Sequence, residues 1–385
     1  MKRMTSFSSA ILLVGLVATT VARSIFKTTT IPSTPGNGAA NVQFTSAPFS
    51  NLDDAKISHV NSTVWEWWYF DVVSASTNAS ITIIFYAAGS SGFLLPNASY
   101  TPVQIVGSLP NGTVFQLPLF SGSGATISAE QGKQGVSGIW HETGFAFYNR
   151  DDFGYTIVLD SEELGVRGDL NFNAIPPAHY PCALLCPRSS QNMELLPGIG
   201  WANAVPDAIV TADIAFFDPT TDETLQIKFD DGVGYHDQNW GSVPFVETVQ
   251  SWYWGHGRIG SYSVVWFDAI NWDGSEYQSG YVMNGNHIIS VGCNPSSSKV
   301  RPFGDGTAST YPPTANSALP SGYTLEFEIP GESDSLIVTV PNRIKTVDFG
   351  FYNRWIGHNL SGHIGGRSIG TGGVGVWEQF NLNYQ

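Results

Sequence analysis

Two short runs of the sequence combine tryptophan with side chains that can carry protons. Residues 65–70 read Trp-Glu-Trp-Trp-Tyr-Phe, and residues 235–241 read Tyr-His-Asp-Gln-Asn-Trp-Gly. In the second run, His236, Asp237 and Asn239 could act as proton carriers and hydrogen-bond donors at the rim of an aromatic cavity. The alternative is a structural role, in which these polar groups satisfy one another and the nearby backbone at a corner between a strand and a turn.

A third run extends the pattern. Residues 251–256 read Ser-Trp-Tyr-Trp-Gly-His, so tryptophan again lies beside polar groups. A deep apolar pocket with a few hydrogen-bonding groups suits a largely hydrophobic small molecule. We therefore expect pocket walls at Trp65, Trp68, Trp254 and Trp377, the last because it lies in the final predicted strand, which usually closes a barrel. The alternative is that these side chains fill an ordinary protein core.

Other kinds of catalytic site receive little support. The sequence has no His-Glu-x-x-His motif, no phosphate-binding glycine loop and no dinucleotide fingerprint after a strand. Residues 366–370 match the letters of a serine-hydrolase motif, but the glycine-rich residues 371–375 cannot form the helix that must follow. His236 and Asp237 are adjacent and would diverge on a strand, and no third ligand is evident. We therefore expect no metal site.

The elements that must position these residues are short strands. Runs rich in β-branched and aromatic residues recur between Gly, Asn, Asp and Pro, for example at residues 81–86, 155–159, 208–216, 262–267 and 336–340. No segment shows a sustained helical period. The pattern predicts an all-β protein of sandwich or barrel type. The length of 385 residues suggests two domains, at residues 23–230 and 231–385, packed directly on each other near residues 220–245.

Side chains two residues apart share one face of a strand. The odd-numbered side chains of residues 65–70 should therefore point one way and the even-numbered ones the other. By the same rule, Trp252, Trp254 and His256 should lie together, opposite Tyr253.

The sequence also predicts a hairpin after the run 251–256. Residues 257–260 (Gly-Arg-Ile-Gly) predict a turn, followed by a strand that carries Trp266 and Asp268 on one face. Aromatic residues on both faces of a strand indicate that its outer face is also covered. A second barrel would supply that cover.

Composition limits the partners. Charged residues make up 13% of the chain and the formal net charge is −15. We expect no binding to nucleic acid or to anionic membranes, because both require basic patches. Hydrophobic residues make up 42%, which is enough for substantial cores. The expected partners are hydrophobic small-molecule substrates, and the oligomeric state stays open.

The N-terminus predicts secretion. Lys2 and Arg3 precede an apolar stretch at residues 10–18, the pattern of a secretory signal peptide, which we place at residues 1–22. The stretch is too short for a permanent membrane helix, so we expect no membrane anchor after its removal. Glycosylation sequons occur at Asn61, Asn78, Asn97, Asn111 and Asn359.

The chain has three cysteines, so one thiol is left over if a disulfide forms. Cys182 and Cys186 lie between prolines in a predicted loop, and a local bridge between them is the first expectation. Pairing of Cys293 with one of them stays open. A secreted protein would permit either bridge.

The aromatic runs together resemble the hydroxyneurosporene synthase (carotenoid hydratase)/AttH-like superfamily over residues 45–385. The resemblance implies two packed lipocalin-like antiparallel β-barrel domains. Within the superfamily, the chain most resembles the fungal Diels–Alderases of secondary metabolism. The predicted signal peptide and the sequons point to the secreted hetero-Diels–Alderases of tropolone–sesquiterpenoid meroterpenoid pathways.

The resemblance implies a cofactor-free pericyclase. Such an enzyme would help a hydroxymethyl tropolone lose water to an ortho-quinone methide, and would hold this heterodiene against a humulene-type alkene while a dihydropyran ring closes. Orienting two reactants can lower a barrier by up to roughly 7–11 kcal/mol. Two alternatives remain: a secreted lipocalin-type carrier of a hydrophobic metabolite, and an alkene hydratase.

The resemblance also suggests substrate-binding residues. By position, His236, Trp240 and Asp268 correspond to polar residues with which carotenoid hydratases transfer a proton to an alkene. Glu66, in the run 65–70, and Trp266, on the predicted strand that carries Asp268, complete the expected substrate-binding set.

For the pericyclic reaction we expect His236 and Arg258 to activate the oxygen-bearing partner. Tyr253 and Asn239 should assist by hydrogen bonding. Histidine is favoured because it can serve as a neutral donor or as an acid near neutral pH.

Overall fold

The computed structural model describes residues 26–95, 99–131, 133–150, 154–175, 177–218 and 223–383. The predicted signal peptide and the sequon at Asn97 lie outside these ranges. Across them, no helix is long and apolar enough to cross a membrane. Their helical content is one α-helical turn, α1 (Phe245–Thr248), and one 3-10 turn at Gly306–Ser309.

The first sheet is antiparallel and contains sixteen strands of the described part of the chain. Its first eight strands are β1 (Phe26–Pro32), β2 (Trp65–Ser74), β3 (Ser80–Ala88), β4 (Pro102–Ser108), β5 (Val114–Gln116), β6 (Phe120–Ser121), β7 (Gly124–Glu130) and β8 (Val136–Trp140). The others are β9 (Phe145–Asn149), β10 (Tyr155–Ser161), β11 (Val166–Ala174), β12 (His179–Tyr180), β13 (Ala183–Leu184), β14 (Glu194–Leu196), β15 (Ile199–Asp218) and β16 (Glu223–Gly241). The main path runs β1-β7-β8-β9-β10-β11-β15-β16-β2-β3-β4-β5.

The second sheet is also antiparallel and contains ten strands of the described residues. They are β17 (Val249–Ile259), β18 (Tyr262–Asn271), β19 (Glu276–Asn284), β20 (His287–Gly292), β21 (Lys299–Phe303), β22 (Gly322–Phe327), β23 (Leu336–Pro341), β24 (Ile344–Asp348), β25 (Tyr352–Ile364) and β26 (Arg367–Asn381). The order is β20-β19-β18-β17-β26-β25-β23-β22-β21, and β24 pairs with β25.

Both sheets curl, and the predicted all-β fold of two packed lipocalin-like antiparallel barrels is confirmed. The chain leaves the first sheet at Gly241 and enters the second at Val249. The domain boundary that we placed between residues 230 and 231 thus falls inside β16. The strand continues there because its residues from Gly232 onward pair with β2.

Strands β2 and β16 are neighbours, and their pairing joins two of the aromatic runs. Trp65 lies opposite Gly241, Trp68 opposite Gln238, and Phe70 opposite His236. Side chains directly opposite each other on one face of an antiparallel pair interact. Segments that are far apart in sequence therefore form one continuous aromatic and polar surface.

The buried apolar residues that the structure describes form three clusters, one inside each sheet and one between them. The cluster inside the first sheet includes Trp68 and Phe70, and the cluster inside the second includes Trp266 and Trp377. The cluster between the sheets combines residues of both, such as Trp67 of β2 and others from β17 and β26. The strands at this interface therefore have apolar side chains on both faces, as the sequence predicted.

The predicted alternation of side chains is confirmed in β2 and β17. Trp65, Trp67 and Tyr69 belong to the cluster between the sheets, whereas the even-numbered apolar side chains of the same run lie inside the first sheet. Trp254 likewise faces the first sheet, while Tyr253 lies inside the second.

The hairpin after β17 turns at Gly260 and Ser261. Gly260 has a φ of +59°, a left-handed conformation that glycine adopts without a steric penalty. The predicted turn at residues 257–260 was therefore too early. Arg258 lies within β17 and pairs with Ser263 and Val374.

The disulfide joins Cys182 to Cys293 and spans 111 residues. The expected local bridge to Cys186 was wrong. The structure brings the loop that contains Cys182 against the second sheet, where the Ser279 hydroxyl donates to the carbonyl of Pro181 at 2.6 Å. Among the described residues, Cys186 is exposed and unpaired. The bridge therefore ties the first half of the chain to the second.

Candidate functional site

An aromatic cavity, called the main cavity below, lies between the two sheets and has a volume of about 190 Å³. Gln116 and Phe349 are exposed at its mouth. Its walls are aromatic, formed by Trp67 and Tyr86 from the first sheet and by Phe380 from the second, among others. The odd-numbered face of β2 supplies the wall on one side, and the even-numbered face of β26 supplies the wall on the other.

The buried floor of this cavity carries an acid, a guanidinium and a phenol. The Tyr352 hydroxyl donates to Glu378 Oε2 at 2.6 Å, and Arg354 Nε lies 3.3 Å from the same oxygen. Arg354 also stacks over the rings of Tyr69 and Tyr352, at 5.0 and 5.4 Å. Its Nη1 atom is buried and has no hydrogen-bond partner in the described residues. The floor can therefore offer a free donor to a bound molecule.

Strand register explains how this group assembles. Arg354 of β25 and Glu378 of β26 are directly paired residues, so their side chains lie side by side on one face. Tyr352 lies two residues before Arg354 and shares that face. Two charged residues in otherwise apolar strands thus meet in the space between the sheets.

Burial controls the protonation of this group. It raises the pKa of the Glu378 carboxyl, against the opposing effects of Arg354 and of the Tyr352 hydroxyl. Burial opposes the charge of Arg354, but Tyr352, Tyr69 and Glu378 outweigh it and raise the pKa of the guanidinium. Burial also raises the pKa of the Tyr352 phenol. The floor therefore combines a permanent cation with a carboxyl that holds its proton to higher pH than in water.

A smaller space of about 20 Å³, the inner cavity, lies beside this floor. It is lined by Trp67, Tyr69, Asp237, Asn239, Trp252, Trp254 and Glu378. Glu378, Trp67 and Tyr69 line both cavities. The Asp237 carboxyl accepts hydrogen bonds from Trp201 and Tyr235 at 2.8 Å and from Asn239 at 3.0 Å. Burial raises the pKa of Asp237 to about 8, although the hydrogen bonds from Trp201 and Tyr235 favour its charged form.

Tyr69 connects the cavities to a further buried pair. Its hydroxyl donates to Asp71 Oδ2 at 2.6 Å, and Asp71 Oδ1 lies 2.8 Å from His256 Nε2. The His256 ring stacks on Tyr235 at 4.6 Å. Polar contacts thus continue from the cavity wall into the interface between the sheets.

Of the predicted catalytic residues, the structure brings Asn239 to the inner cavity and places His236 elsewhere. His236 is fully buried inside the first sheet, where its ring stacks on Phe70 at 3.8 Å. Its Nδ1 lies 2.9 Å from the carbonyl oxygen of Tyr69, and its Nε2 lies 3.2 Å from Asp53 Oδ2. His236 and Asp237 are adjacent on a strand and therefore face opposite sides. His236 lines neither cavity.

Arg258 forms a structural link between the sheets. Its Nε donates to Asp207 Oδ2 at 2.8 Å, and its Nη2 donates to the other oxygen of that carboxylate and to the carbonyl of Ala208. Such a bidentate pair fixes both partners. The guanidinium is therefore engaged by protein, away from both cavities.

The predicted residues Tyr253, Trp266, Asp268 and Trp377 all lie inside the second sheet. Tyr253 packs against aromatic side chains there, and burial raises the pKa of its phenol. The Asp268 carboxyl accepts from the Tyr311 hydroxyl at 2.8 Å, and burial raises its pKa to about 7. Trp377 immediately precedes Glu378 and therefore faces the opposite side of β26. None of these four side chains lines either cavity.

The predicted residues of β2 and β16 lie either at the interface between the sheets or inside the first sheet. Trp65 packs on Trp67 at 4.6 Å and supports the wall from behind. Trp68 and Trp240 belong to the core inside the first sheet, and each donates its indole N–H to a backbone carbonyl. Glu66 accepts from the backbone N–H of Lys56 at 2.6 Å, and burial raises its pKa. Among the expected walls, only Trp254 lines a cavity, the inner one.

The sequence interpretation missed Arg354 and Glu378. A signal was present, because each is a single charged residue in an aromatic run: residues 352–356 read Tyr-Asn-Arg-Trp-Ile, and residues 376–380 read Val-Trp-Glu-Gln-Phe. A buried charge is rarely retained without a partner, so opposite charges in two such runs indicate a pair. In the described part of the chain, no group of three or more His, Cys, Asp or Glu residues is gathered as metal ligands would be.

Comparison with known proteins decides the family. The family model described as Diels-Alderase-like matches residues 31–380. The chain belongs to this Diels-Alderase-like family. Quinolone epoxide rearrangement protein asqO of Emericella nidulans is 38% identical over 86% of this chain and 87% of its own length. Quinolone epoxide rearrangement protein penF of Penicillium thymicola is 36% identical over 82% of this chain and 85% of its own length.

The fold of this family member is also found in a solved structure. The crystal structure of CghA superposes with a TM-score of 0.73 at 18% identity and covers 94% of this chain and 99% of its own. At this level of identity the likeness supports the architecture of two packed barrels alone.

Proposed function

We propose that this Diels-Alderase-like protein rearranges or cyclises an aromatic, mostly apolar small molecule without a cofactor, and that its substrate is a quinolone epoxide. The observation that carries the proposal is Glu378, a buried carboxyl of raised pKa at the floor of an aromatic cavity. The two relatives named as quinolone epoxide rearrangement proteins support the substrate class.

Glu378 supplies the proton in this proposal. Epoxides open when their oxygen is protonated, because the oxygen then leaves carbon as a hydroxyl group. The proton passes from Glu378 to the epoxide oxygen, a C–O bond breaks, and positive charge develops on carbon. A neighbouring group then migrates, or an internal nucleophile closes a ring, and a proton is lost. The substrate is isomerised, and the acid is restored when that proton returns.

The rings around the cavity favour this course. The π faces of Trp67 and Tyr86 attract a cation that forms within about 6 Å of them. Their apolar bodies exclude water, which would otherwise capture the cation and give a diol. An aromatic cavity of this kind therefore guides the cation toward rearrangement.

Arg354 orients the substrate. Its unpartnered Nη1 can donate to a carbonyl oxygen such as that of a quinolone. A donor to a carbonyl also stabilises charge that develops at that oxygen during a cycloaddition. The same floor could therefore serve the tropolone hetero-Diels–Alder reaction implied by the family resemblance. The two relatives at 38% and 36% identity favour the quinolone epoxide.

A product assay tests this proposal. The purified protein is incubated with a quinolone that carries an epoxide, and separately with a tropolone quinone-methide precursor plus humulene. The proposal predicts an isomer of the quinolone epoxide, formed faster and with higher stereoselectivity than without protein. A carrier would leave rate and stereochemistry unchanged. Selective conversion of the tropolone pair would instead support the hetero-Diels–Alder reaction.

We also propose that the protein is secreted. The signal-peptide pattern at residues 1–22 supports this, as does the disulfide, a bond that persists in oxidising compartments. Of the described sequons, Asn111 and Asn359 are exposed, whereas Asn61 and Asn78 are half-buried. Expression in a secreting fungal host should give glycans at the two exposed sites, seen as a mass loss on endoglycosidase treatment. An unprocessed protein without glycans would contradict the proposal.

A further inference from the structure

The inner cavity separates two carboxyl groups on different sheets. Asp237 belongs to β16 of the first sheet and Glu378 to β26 of the second, and both line this space. Its volume of about 20 Å³ is close to that needed by one water molecule, since a cavity needs at least roughly 10–15 Å³ to hold one. The space is too small for a substrate group of any size.

Three polar atoms on residues around this space have no hydrogen-bond partner within the described residues. They are Nε1 of Trp252, Nε1 of Trp254 and Oδ1 of Asn239. All three side chains are at least nine-tenths buried. An unpaired buried polar group costs about 1–3 kcal/mol, so such groups usually have a partner. Two donors and one acceptor around a water-sized space match what a buried water molecule requires.

The surroundings of the two indoles agree with this assignment. Trp252 lies near enough to lower the pKa of Glu378, and Trp254 near enough to act on Tyr235 in the same direction, yet neither indole N–H has a partner of hydrogen-bond geometry within the described structure. Polar groups that approach each other without a direct hydrogen bond can be bridged by water.

We infer that one water molecule occupies the inner cavity and joins Asp237 to Glu378, so that the two carboxyl groups share protons as a linked pair. Asp237 then acts as a positioning residue that keeps Glu378 supplied with a proton. The inference rests on the proposed function, in which Glu378 is the acid.

The charged and titratable groups facing the pair agree with proton sharing. Burial raises the pKa of both carboxyls, and the Glu378 and Asp71 carboxylates raise that of Asp237 further. The groups that act in the opposite direction are Arg354, Tyr352 and Trp252 around Glu378, and Trp201 and Tyr235 around Asp237. Two acids with raised pKa values, coupled across one water molecule, titrate as a pair.

The transfer conserves protons. When Glu378 gives its proton to the epoxide oxygen, the water donates a proton to the Glu378 carboxylate and takes one from Asp237. When the rearranged cation loses its proton, the transfer runs in reverse and Asp237 is protonated again. A substrate that fills the main cavity can therefore be isomerised without proton exchange with bulk solvent.

Infrared titration of the carboxyl carbonyl stretch in the intact protein, without substrate, tests the inference. Ionised Glu378 raises the pKa of Asp237, so Asp237 keeps its proton to higher pH. The variant E378Q removes this charge and should therefore move the Asp237 titration to lower pH by about one unit, a tenfold change in proton affinity. D268N, which changes a buried acid that lines neither cavity, should leave the Asp237 titration unchanged.

A second variant keeps every charge and removes one of the donors. W254F should reduce the linkage and move the Asp237 titration in the same direction, and a crystal structure of the wild type should show a water molecule in the inner cavity. An unchanged Asp237 titration in both variants, or a dry cavity, would overturn the inference. Because no substrate is present, failure to rearrange a quinolone epoxide would leave this result standing and would count only against the proposed function.

Discussion

Arg354 and Glu378 are paired residues of neighbouring strands, and Arg354 Nε lies 3.3 Å from Glu378 Oε2 in a buried site. Taking two charges out of water costs several kcal/mol per ion, so such a pair is weak evidence for a stabilising role. A pair at the floor of an aromatic cavity has a chemical use instead. It holds an acid beside a cation where a substrate can reach both.

The first prediction concerns the energetics of this pair. R354M leaves Glu378 without the cation that lowers its pKa, so the pKa of that carboxyl should rise. A raised carboxyl pKa means that the folded state loses stability as pH rises above about 4, the unfolded value. Urea unfolding should show that R354M loses more unfolding free energy relative to the wild type as pH rises, toward about 3–5 kcal/mol. Adding E378Q to R354M should remove most of this pH dependence. An equal loss at all pH values would contradict the account.

Trp67 and Trp68 provide a second prediction, because adjacent residues of β2 face different environments. W68A should cost about 3–5 kcal/mol of stability through the cavity that it leaves in the core. W67A should cost less, because Trp67 already borders a cavity, and should instead lower turnover and substrate affinity. Melting temperature and steady-state kinetics for the two variants separate the effects. Loss of activity only in proportion to unfolding in both variants would mean that Trp67 is ordinary core.

This contrast shows how far the sequence could predict the site. Local composition predicted the strands. The alternation of side chains between the two faces of a strand predicted the orientations in the run 65–70 and the covering of both faces. Which face of a strand borders a cavity did not follow, because that depends on how two curled sheets meet. The sequence predicts a cavity wall at Trp377, but the cavity residue is its neighbour Glu378. Adjacent residues of a strand face opposite sides, so a shift of one position moves a side chain from the inside of the second sheet to the interface between the sheets.

The polar residues illustrate the same limit. His236, Asp237 and Asn239 are close in sequence, but His236 points into the first sheet while the other two line the inner cavity. The carboxyl at the floor of the main cavity comes from the last strand, and its partner comes from the strand before. Pairing between distant strands is a tertiary property, so clustering along the sequence was a poor guide to clustering in space.

Asp268 provides a third prediction, on pH and stability. Burial raises its pKa from 3.8 to about 7, so the folded state binds this proton more tightly than the unfolded state does. Stability should therefore fall as pH rises from about 4 to about 7, and one pKa unit corresponds to ~1.4 kcal/mol. D268N has no carboxyl proton at this position, so its free energy of unfolding should decrease less over this pH range, by up to roughly 4 kcal/mol. Urea unfolding of both proteins across the range measures the difference. A parallel pH dependence in variant and wild type would show that the Asp268 proton is not linked to folding.

The disulfide provides a fourth prediction. The bridge between Cys182 and Cys293 closes a loop with a sequence separation of 111 residues. Long loops gain most from a crosslink, so C293S should lose about 3–5 kcal/mol. C186S is the matched control, because this exposed thiol is outside the bridge, and it should unfold like the wild type. If C186S were the destabilised variant, the local bridge first expected from the sequence would be the real one.

The most direct test of the central claim is the turnover of E378Q on a quinolone epoxide. Glutamine keeps the shape of Glu378 and can still pair with Tyr352, but it cannot give a proton. A general acid typically contributes 10²- to 10⁴-fold, so kcat should fall by about that factor while substrate binding changes little. A variant that keeps the wild-type rate and product would contradict the assignment of Glu378 as the acid and would leave the cavity acting through shape alone.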